Sequence, residues 1–212
     1  METQQTVAKV SNATLKTIFD RRAVRKYLPQ MVEDDLLEQI LDAGRMAPSA
    51  MNGQSWKYYI VTHRDTISAF SREIAKVVPK ILFKLAIRHP LVTLKSLLHT
   101  SLDMIRPTEE DHIFHSAPVV IFITSLKDNE WGGLETGMSA QNMMLAAKSL
   151  GLDSCPVGLA KFISQTPIYH SLEVPDSEVV QLAVVLGYAA EKPKAEPRVQ
   201  HTTVFIDRKE CC

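Results

Sequence analysis

Pro118 to Thr124 (PVVIFIT) is a short continuous apolar run. A strand with one wet face alternates apolar and polar residues, whereas a strand apolar throughout belongs in the middle of a sheet covered on both faces. The rest of the chain supplies the cover. Leu134 to Leu150 predicts a long helix closed by Gly151, and its small and flexible residues (Gly137, Ser139, Ala140, Met143, Met144, Ala146, Ala147) permit close approach of another helix. Glu33 to Met46 repeats Leu36, Leu37, Ile40 and Leu41 at helical spacing, with Glu33, Asp34 and Asp35 in its first turn, and Pro48 stops it. Shorter helices are expected at Leu15 to Asp20 and around Thr66 to Val78. Lys57 to Thr62 (KYYIVT) and Gln181 to Tyr188 (QLAVVLGY) read as further strands. Strict βαβ alternation is absent, which predicts an α+β fold with a mainly antiparallel sheet. Pro79 to His112 reads as irregular helix cut by Pro90 and Pro107. A Pro-, Lys- and Glu-rich connection from Ala189 to Pro197 leads to a β-like segment, Thr202 to Ile206. A tail of that kind docks either on its own domain or on a partner subunit.

The chain has 212 residues, enough for a single domain over 1–212 with a sizeable core. Lys plus Arg and Asp plus Glu both number 24, so the formal charge is zero. That excludes a broad electrostatic grip on nucleic acid or acidic membrane, and any anion site must be local. Cys155 stands alone, and Cys211 and Cys212 are adjacent at the C-terminus, a usage that fits a reducing compartment. Met1 to Thr14 has no apolar core of signal-peptide length. The stretch from Ile81 to Leu98 is broken by Lys84, Arg88, His89, Pro90 and Lys95. The expectation is a cytoplasmic protein.

Three segments can carry chemistry. Arg21, Arg22 and Arg25 cluster between a helix and an extended stretch, and guanidinium forks match phosphate oxygens, though such a run also serves as a solvated patch. The loop Ala47-Pro48-Ser49-Ala50-Met51-Asn52-Gly53-Gln54-Ser55-Trp56 gathers amides and hydroxyls suited to the edge of a heterocycle bearing imide and carbonyl groups. Gly158, after Cys155-Pro156-Val157, lets a backbone N–H approach a flat ligand. Cys155 lacks a neighbouring cysteine and reads as a buried structural thiol. His112 and His115 have HxxH spacing but no further ligands at a fitting distance, so no metal is expected. GxGxxG, GxxxxGK[ST], GxSxG and HExxH are all missing, which disfavours a Rossmann dehydrogenase, a P-loop NTPase and an α/β-hydrolase.

In this order the segments resemble the nitroreductase family of FMN-dependent, NAD(P)H-using oxidoreductases. The likeness rests on Arg21 to Tyr27 (RRAVRKY), Ala47 to Trp56 (APSAMNGQSW), Gly151 to Gly158 (GLDSCPVG), and Leu186-Gly187-Tyr188 running on to Arg198, and it spans roughly Leu15 to Val199. It implies a three-layer αβα sandwich with a mainly antiparallel central sheet, assembled as an intertwined homodimer with the tail from about residue 189 to 212 laid over the partner. It implies FMN between the subunits. Arg21, Arg22 and Ala23 would hold the phosphate and ribityl end, joined by Arg198, and Arg25 would reach the N1 and O2 edge of the ring, where a cation stabilises negative charge. Ser49, Ala50, Asn52 and Gln54 would approach the ring from the other subunit, with Val157 and Gly158 near N5. Departures are Ala23 where Ser or His is common, Ser55 where Pro is common, and Val157 where some members carry Glu. The flavin would carry the redox step, with no catalytic side chain. NADH or NADPH would be the reductant, and a nitroaromatic, quinone or related small molecule the acceptor, in a ping-pong cycle. Other flavin chemistry on the same fold (dehalogenation, flavin breakdown, ring dehydrogenation) and flavin binding without turnover are the alternatives.

Overall fold

The computed structural model describes residues 12–88 and 111–198, together with Val204 and Ile206. Four antiparallel strands form one sheet in the order β1-β2-β4-β3: β1 (Lys57–Val61), β2 (Val119–Leu126), β3 (Asp153–Val157) and β4 (Glu178–Gly187). The apolar run is indeed central, flanked by β1 and β4, and all but the last residue of β2 are buried. Its two faces explain the missing alternation. Val119, Ile121 and Ile123 pack with Val184 and Leu186 of β4 under the helices α2 (Asp34–Arg45) and α4 (Gly132–Ser149). Val120 and Phe122 pack with Ala183 and Val185 under α3 (Arg64–Arg88) and the 3-10 turns at Gly158–Gln165. Phe122 meets Phe70 and Phe114 edge to face, with ring centroids 5.8 and 5.6 Å away. Helices cover both faces, so the expected α+β three-layer arrangement is what the chain adopts.

Helix α3 runs on to Arg88 through Pro79 as one helix, where the sequence predicted a helix around Thr66 to Val78 followed by an irregular helical stretch. Ile67, Phe70, Ile74 and Val78 recur on one face and are buried against the sheet, and this anchoring outweighs the hydrogen bond that Pro79 removes. Strand β3 was not expected: Asp153, Ser154 and Pro156 are poor strand formers. It lies on the sheet margin, where a proline lacking its N–H is tolerated, and Pro156 stands opposite Val184. Between β2 and β4 the register jumps from Ile123↔Leu182 to Thr124↔Val180, which makes Gln181 a bulge. Gly151 closes α4 with φ +85, the left-handed conformation expected of it. Most of the β-like segment Thr202 to Ile206 lies outside the described residues, as does the stretch 89–110. Before α2 stands α1 (Ala13–Asp20), capped by Asn12, with no buried residue.

Candidate functional site

The extended strap Arg21–Tyr27 lies along the outer edge of β3. Ala23 pairs in parallel with Ser154, the Val24 N–H donates to the Ser154 carbonyl (3.1 Å), and Tyr27 bridges Ala189. Val24 is buried, the Tyr27 hydroxyl donates back to the Val24 carbonyl (2.8 Å), and the Arg25 N–H donates to the Glu191 carboxylate (2.7 Å). Burial, with smaller contributions from neighbouring negative groups, pushes the Tyr27 hydroxyl far up. Gly187 admits this strap: a Cβ there would stand 2.7 Å from Pro118 Cδ and 2.9 Å from Tyr27 Cδ1.

The three arginines take different roles. Arg21 Nη1 is buried with no hydrogen-bond partner among the described residues. A guanidinium nitrogen withdrawn from water and left unpaired is costly unless a ligand completes it, so this atom fits an absent anion such as a phosphate. Arg22 instead folds back over the end of α1, where its Nη1 donates to the carbonyls of Phe19 (2.6 Å) and Arg21 (2.7 Å). Its side chain lines a separate cleft of about 680 Å³ with Lys148, Asp153, Tyr188, Glu191 and Lys192. Arg25 is exposed, close enough to Cys155 and His115 to act on both. Burial pushes the Cys155 thiol up, against a smaller downward pull from Arg25 and Arg21. His115 is held below the ordinary imidazole value, chiefly by burial, with Asp111 opposing and Arg25 reinforcing.

The Ser49–Ser55 loop makes a single 3-10 turn at Ala50–Asn52. Met51 (φ 51), Asn52 (φ 56) and Gln54 (φ 45) are left-handed, which is strained for residues with a side chain. The Ala50 N–H is committed to the Glu135 carboxylate (2.8 Å), and the Ser49 hydroxyl accepts from the Gln54 N–H (3.0 Å). Asn52 and Gln54 are exposed, and the Asn52 amide has no protein partner among the described residues, so it is the loop's freest polar group. Val157 is buried at the end of β3, and Gly158 is exposed with no atom within 4 Å of where a Cβ would stand, room for a flat ligand. Arg198 is exposed at the end of the described tail, and among the described residues no hydrogen bond or ion pair joins it to Arg21 or Arg22.

The loop and the strap therefore lie at opposite ends of α4. The loop is tied to Glu135 in its first turn; the strap runs beside β3, beyond Lys148 in its last. About 20 Å of helix separates Glu135 from Lys148. Glu135 and Asn129, which the sequence did not single out, hold the loop through Ala50 and Ser55, and the Tyr27 hydroxyl fastens the strap to the Val24 carbonyl. Among the described residues no group of His, Cys, Asp or Glu is arranged to hold a metal ion, and no helix is long and apolar enough to cross a membrane.

A profile of the Nitroreductase family matches residues 18–188. A nitrobenzene nitroreductase of Ectopseudomonas oleovorans is 31% identical over 194 residues, covering 81% of this chain and 85% of its own length. A Bacillus subtilis FMN reductase (NAD(P)H) is 25% identical over 211 residues, covering 94% of this chain and 77% of its own. Among solved structures, a nitroreductase with bound FMN from Bacteroides fragilis superposes with a TM-score of 0.73 at 27% identity, covering 93% of this chain and 100% of that chain.

Proposed function

The chain belongs to the nitroreductase family, and from that premise we propose that it is an FMN-dependent NAD(P)H oxidoreductase whose flavin lies between two copies of the chain. The observation that carries the reading is the buried, unpartnered Nη1 of Arg21, a cationic donor waiting for an anion at the edge of β3. Arg21 grips the FMN phosphate through charge-assisted bonds, with the Ala23 backbone beside it. Arg25 supplies a positive charge at the ring's N1 and O2 edge, and Val157 and Gly158 lie against the ring near N5. Asn52 reaches the ring from the second chain, with Ser49, Ala50 and Gln54 shaping its approach. Arg22 and Arg198 join the phosphate end only if their side chains swing from where they now lie. When bound, FMN supplies the redox chemistry, taking electrons from NAD(P)H and passing them to an acceptor in a ping-pong cycle.

Three observations support pairing of two chains. A single flavin cannot easily touch both halves of a site held apart by the length of α4 within one chain. Helix α1 has eight residues, too few to stand alone in water, yet it buries none and exposes Leu15, Ile18 and Phe19 on one face. Met46, Met51, Trp131 and Leu134 are likewise exposed around the loop. The tail was expected to leave its own domain from about residue 189, but Ala189 to Glu191 stay on their own strap, where the Ala190 N–H donates to the Lys26 carbonyl and Glu191 accepts from the Arg25 N–H; in the proposed pair only the tail beyond them lies over the partner. The named relatives act on nitroaromatic compounds or on flavin, and the acceptors proposed here are nitroaromatics, quinones and related conjugated molecules.

The visible spectrum of the purified protein tests this. The expected result is flavin absorbance near one FMN per chain, bleached anaerobically by NADH or NADPH and restored by nitrobenzene or a quinone. Colourless protein that takes up no added FMN, or bound flavin that neither nucleotide reduces, contradicts it.

A further inference from the structure

An acidic residue in the first turn of a helix needs no explanation beyond the helix dipole when it faces water. Glu135 does not face water: it is 2% exposed. Its two oxygens are filled from three other places in the chain. Oε1 accepts the Ala50 N–H at 2.8 Å, and Oε2 accepts the Ser55 hydroxyl at 2.8 Å and the Asn129 amide at 2.9 Å. Asn129 is itself fixed, since its Nδ2 also reaches Ser55 Oγ (2.6 Å) and its Oδ1 accepts from the Trp131 N–H (3.0 Å). Burial alone would push the carboxyl up, but the Ala50, Ser55 and Asn129 donors together hold it below the ordinary glutamate value of 4.5. Ala50 and Ser55 bracket the loop, and between them lie all three of its left-handed residues. A polypeptide holds such a conformation only where its surroundings over-determine it.

We propose that Glu135 is a positioning residue for the flavin: bonded at both ends of the Ala50–Ser55 stretch, it clamps the loop in the strained shape that presents Asn52 to the ring. The inference rests on the proposed contact between this loop and FMN. It assigns the geometry of that contact to a buried carboxylate that itself touches neither ring nor acceptor. Glutamine can keep the Ala50 bond through its amide oxygen while the Ser55 hydroxyl rotates to accept from its NH₂, and only the Asn129 contact is lost. Alanine keeps nothing.

The test measures FMN affinity and the visible circular dichroism of bound FMN in wild type, Glu135→Ala, Glu135→Gln, Asn129→Ala and Thr124→Val. The last removes a donor to the other buried carboxylate, Glu178, which bonds neither Ala50 nor Ser55, and reports loss of a buried hydrogen bond as such. Glu135→Ala is expected to weaken FMN binding roughly tenfold or more and to change the flavin's dichroism. Glu135→Gln recovers most of both. Asn129→Ala gives a smaller loss in the same direction and stands in for Glu135→Ala if that variant does not fold. Thr124→Val lowers the unfolding temperature and leaves affinity and dichroism alone. Wild-type affinity and dichroism in both Glu135→Ala and Asn129→Ala overturn the assignment, as does equal loss in Thr124→Val. A wild type that holds no FMN overturns the cofactor reading and this one together, whereas wild-type binding with unaffected variants overturns only the clamp.

Discussion

Two buried carboxylates do different work in this molecule. Glu135 ties a loop down; Glu178 ties strands together, accepting from Thr124 of β2 (2.7 Å), Tyr59 of β1 (3.0 Å) and Lys57 while standing at the start of β4. Burial alone would raise Glu178, but the Lys57, Thr124 and Tyr59 donors hold it below the ordinary value of 4.5. A carboxyl lowered in the folded state adds stability that is complete above the unfolded value and is lost as pH falls through the folded one. Glu178→Gln is therefore expected to unfold more readily at pH 7, by about 1–3 kcal/mol, with the gap to wild type closing below about pH 4. Thermal unfolding midpoints between pH 7 and pH 3 check this, and a gap that stays constant with pH contradicts it. Neither carboxylate was legible as a buried anchor. In sequence, Glu135 is one more acid near a helix start, and Glu178 precedes the residues that the strand pattern picks out. The arginines stood out in sequence as a guanidinium cluster in a chain of zero net charge, a pattern that fits either a local anion site or a solvated patch. What the sequence withheld is that Arg21 and Arg22 part company, one with its Nη1 buried and unpaired among the described residues, the other capping the carbonyls at the end of α1.

At the scale of elements, the strap depends on close approach. It reaches the sheet only because Gly187 has no Cβ to meet Pro118 and Tyr27. The proline ring cannot move aside as a flexible side chain would. Gly187→Val is expected to lose about 1–3 kcal/mol of stability and to weaken FMN binding with it, by pushing Tyr27 and the Arg21–Tyr27 strap outward. Denaturant unfolding and flavin titration report the two effects, and a stable variant with unchanged FMN affinity would show that the strap is not set by this contact. Helices α2 and α4 and strands β1, β2 and β4 were legible because hydrophobic period and caps agree there. Strand β3 was not, since its residues pair through position at the sheet margin rather than through propensity. Helix α3 continues past Val78 as one helix because packing on the sheet outweighs one proline.

For the whole molecule, the proposed function requires two copies of the chain. Both faces of the sheet are covered, whereas the loop and the strap proposed to hold flavin lie at opposite ends of α4, and α1 exposes Leu15, Ile18 and Phe19. One chain of 23.7 kDa should accordingly run as a dimer of about 47 kDa. Residue pattern foretold the α+β class and the antiparallel sheet, whereas the three layers and the expected pairing of chains came only with the family likeness, because a tail and a small-residue helix do not state what they dock on. The central claim, that each flavin is held by the strap of one chain and the loop of the other, can be read from mixed dimers. Arg21→Ala removes charge-assisted bonds worth about 1.5–3 kcal/mol each, and Asn52→Ala removes the loop's free amide, so each homodimer should bind FMN weakly. In the heterodimer of the two, one shared site carries both lesions and the other carries neither. Titration of that heterodimer with FMN should recover one wild-type site per dimer; a heterodimer with no tight site would place strap and loop in the same chain's site and contradict the account.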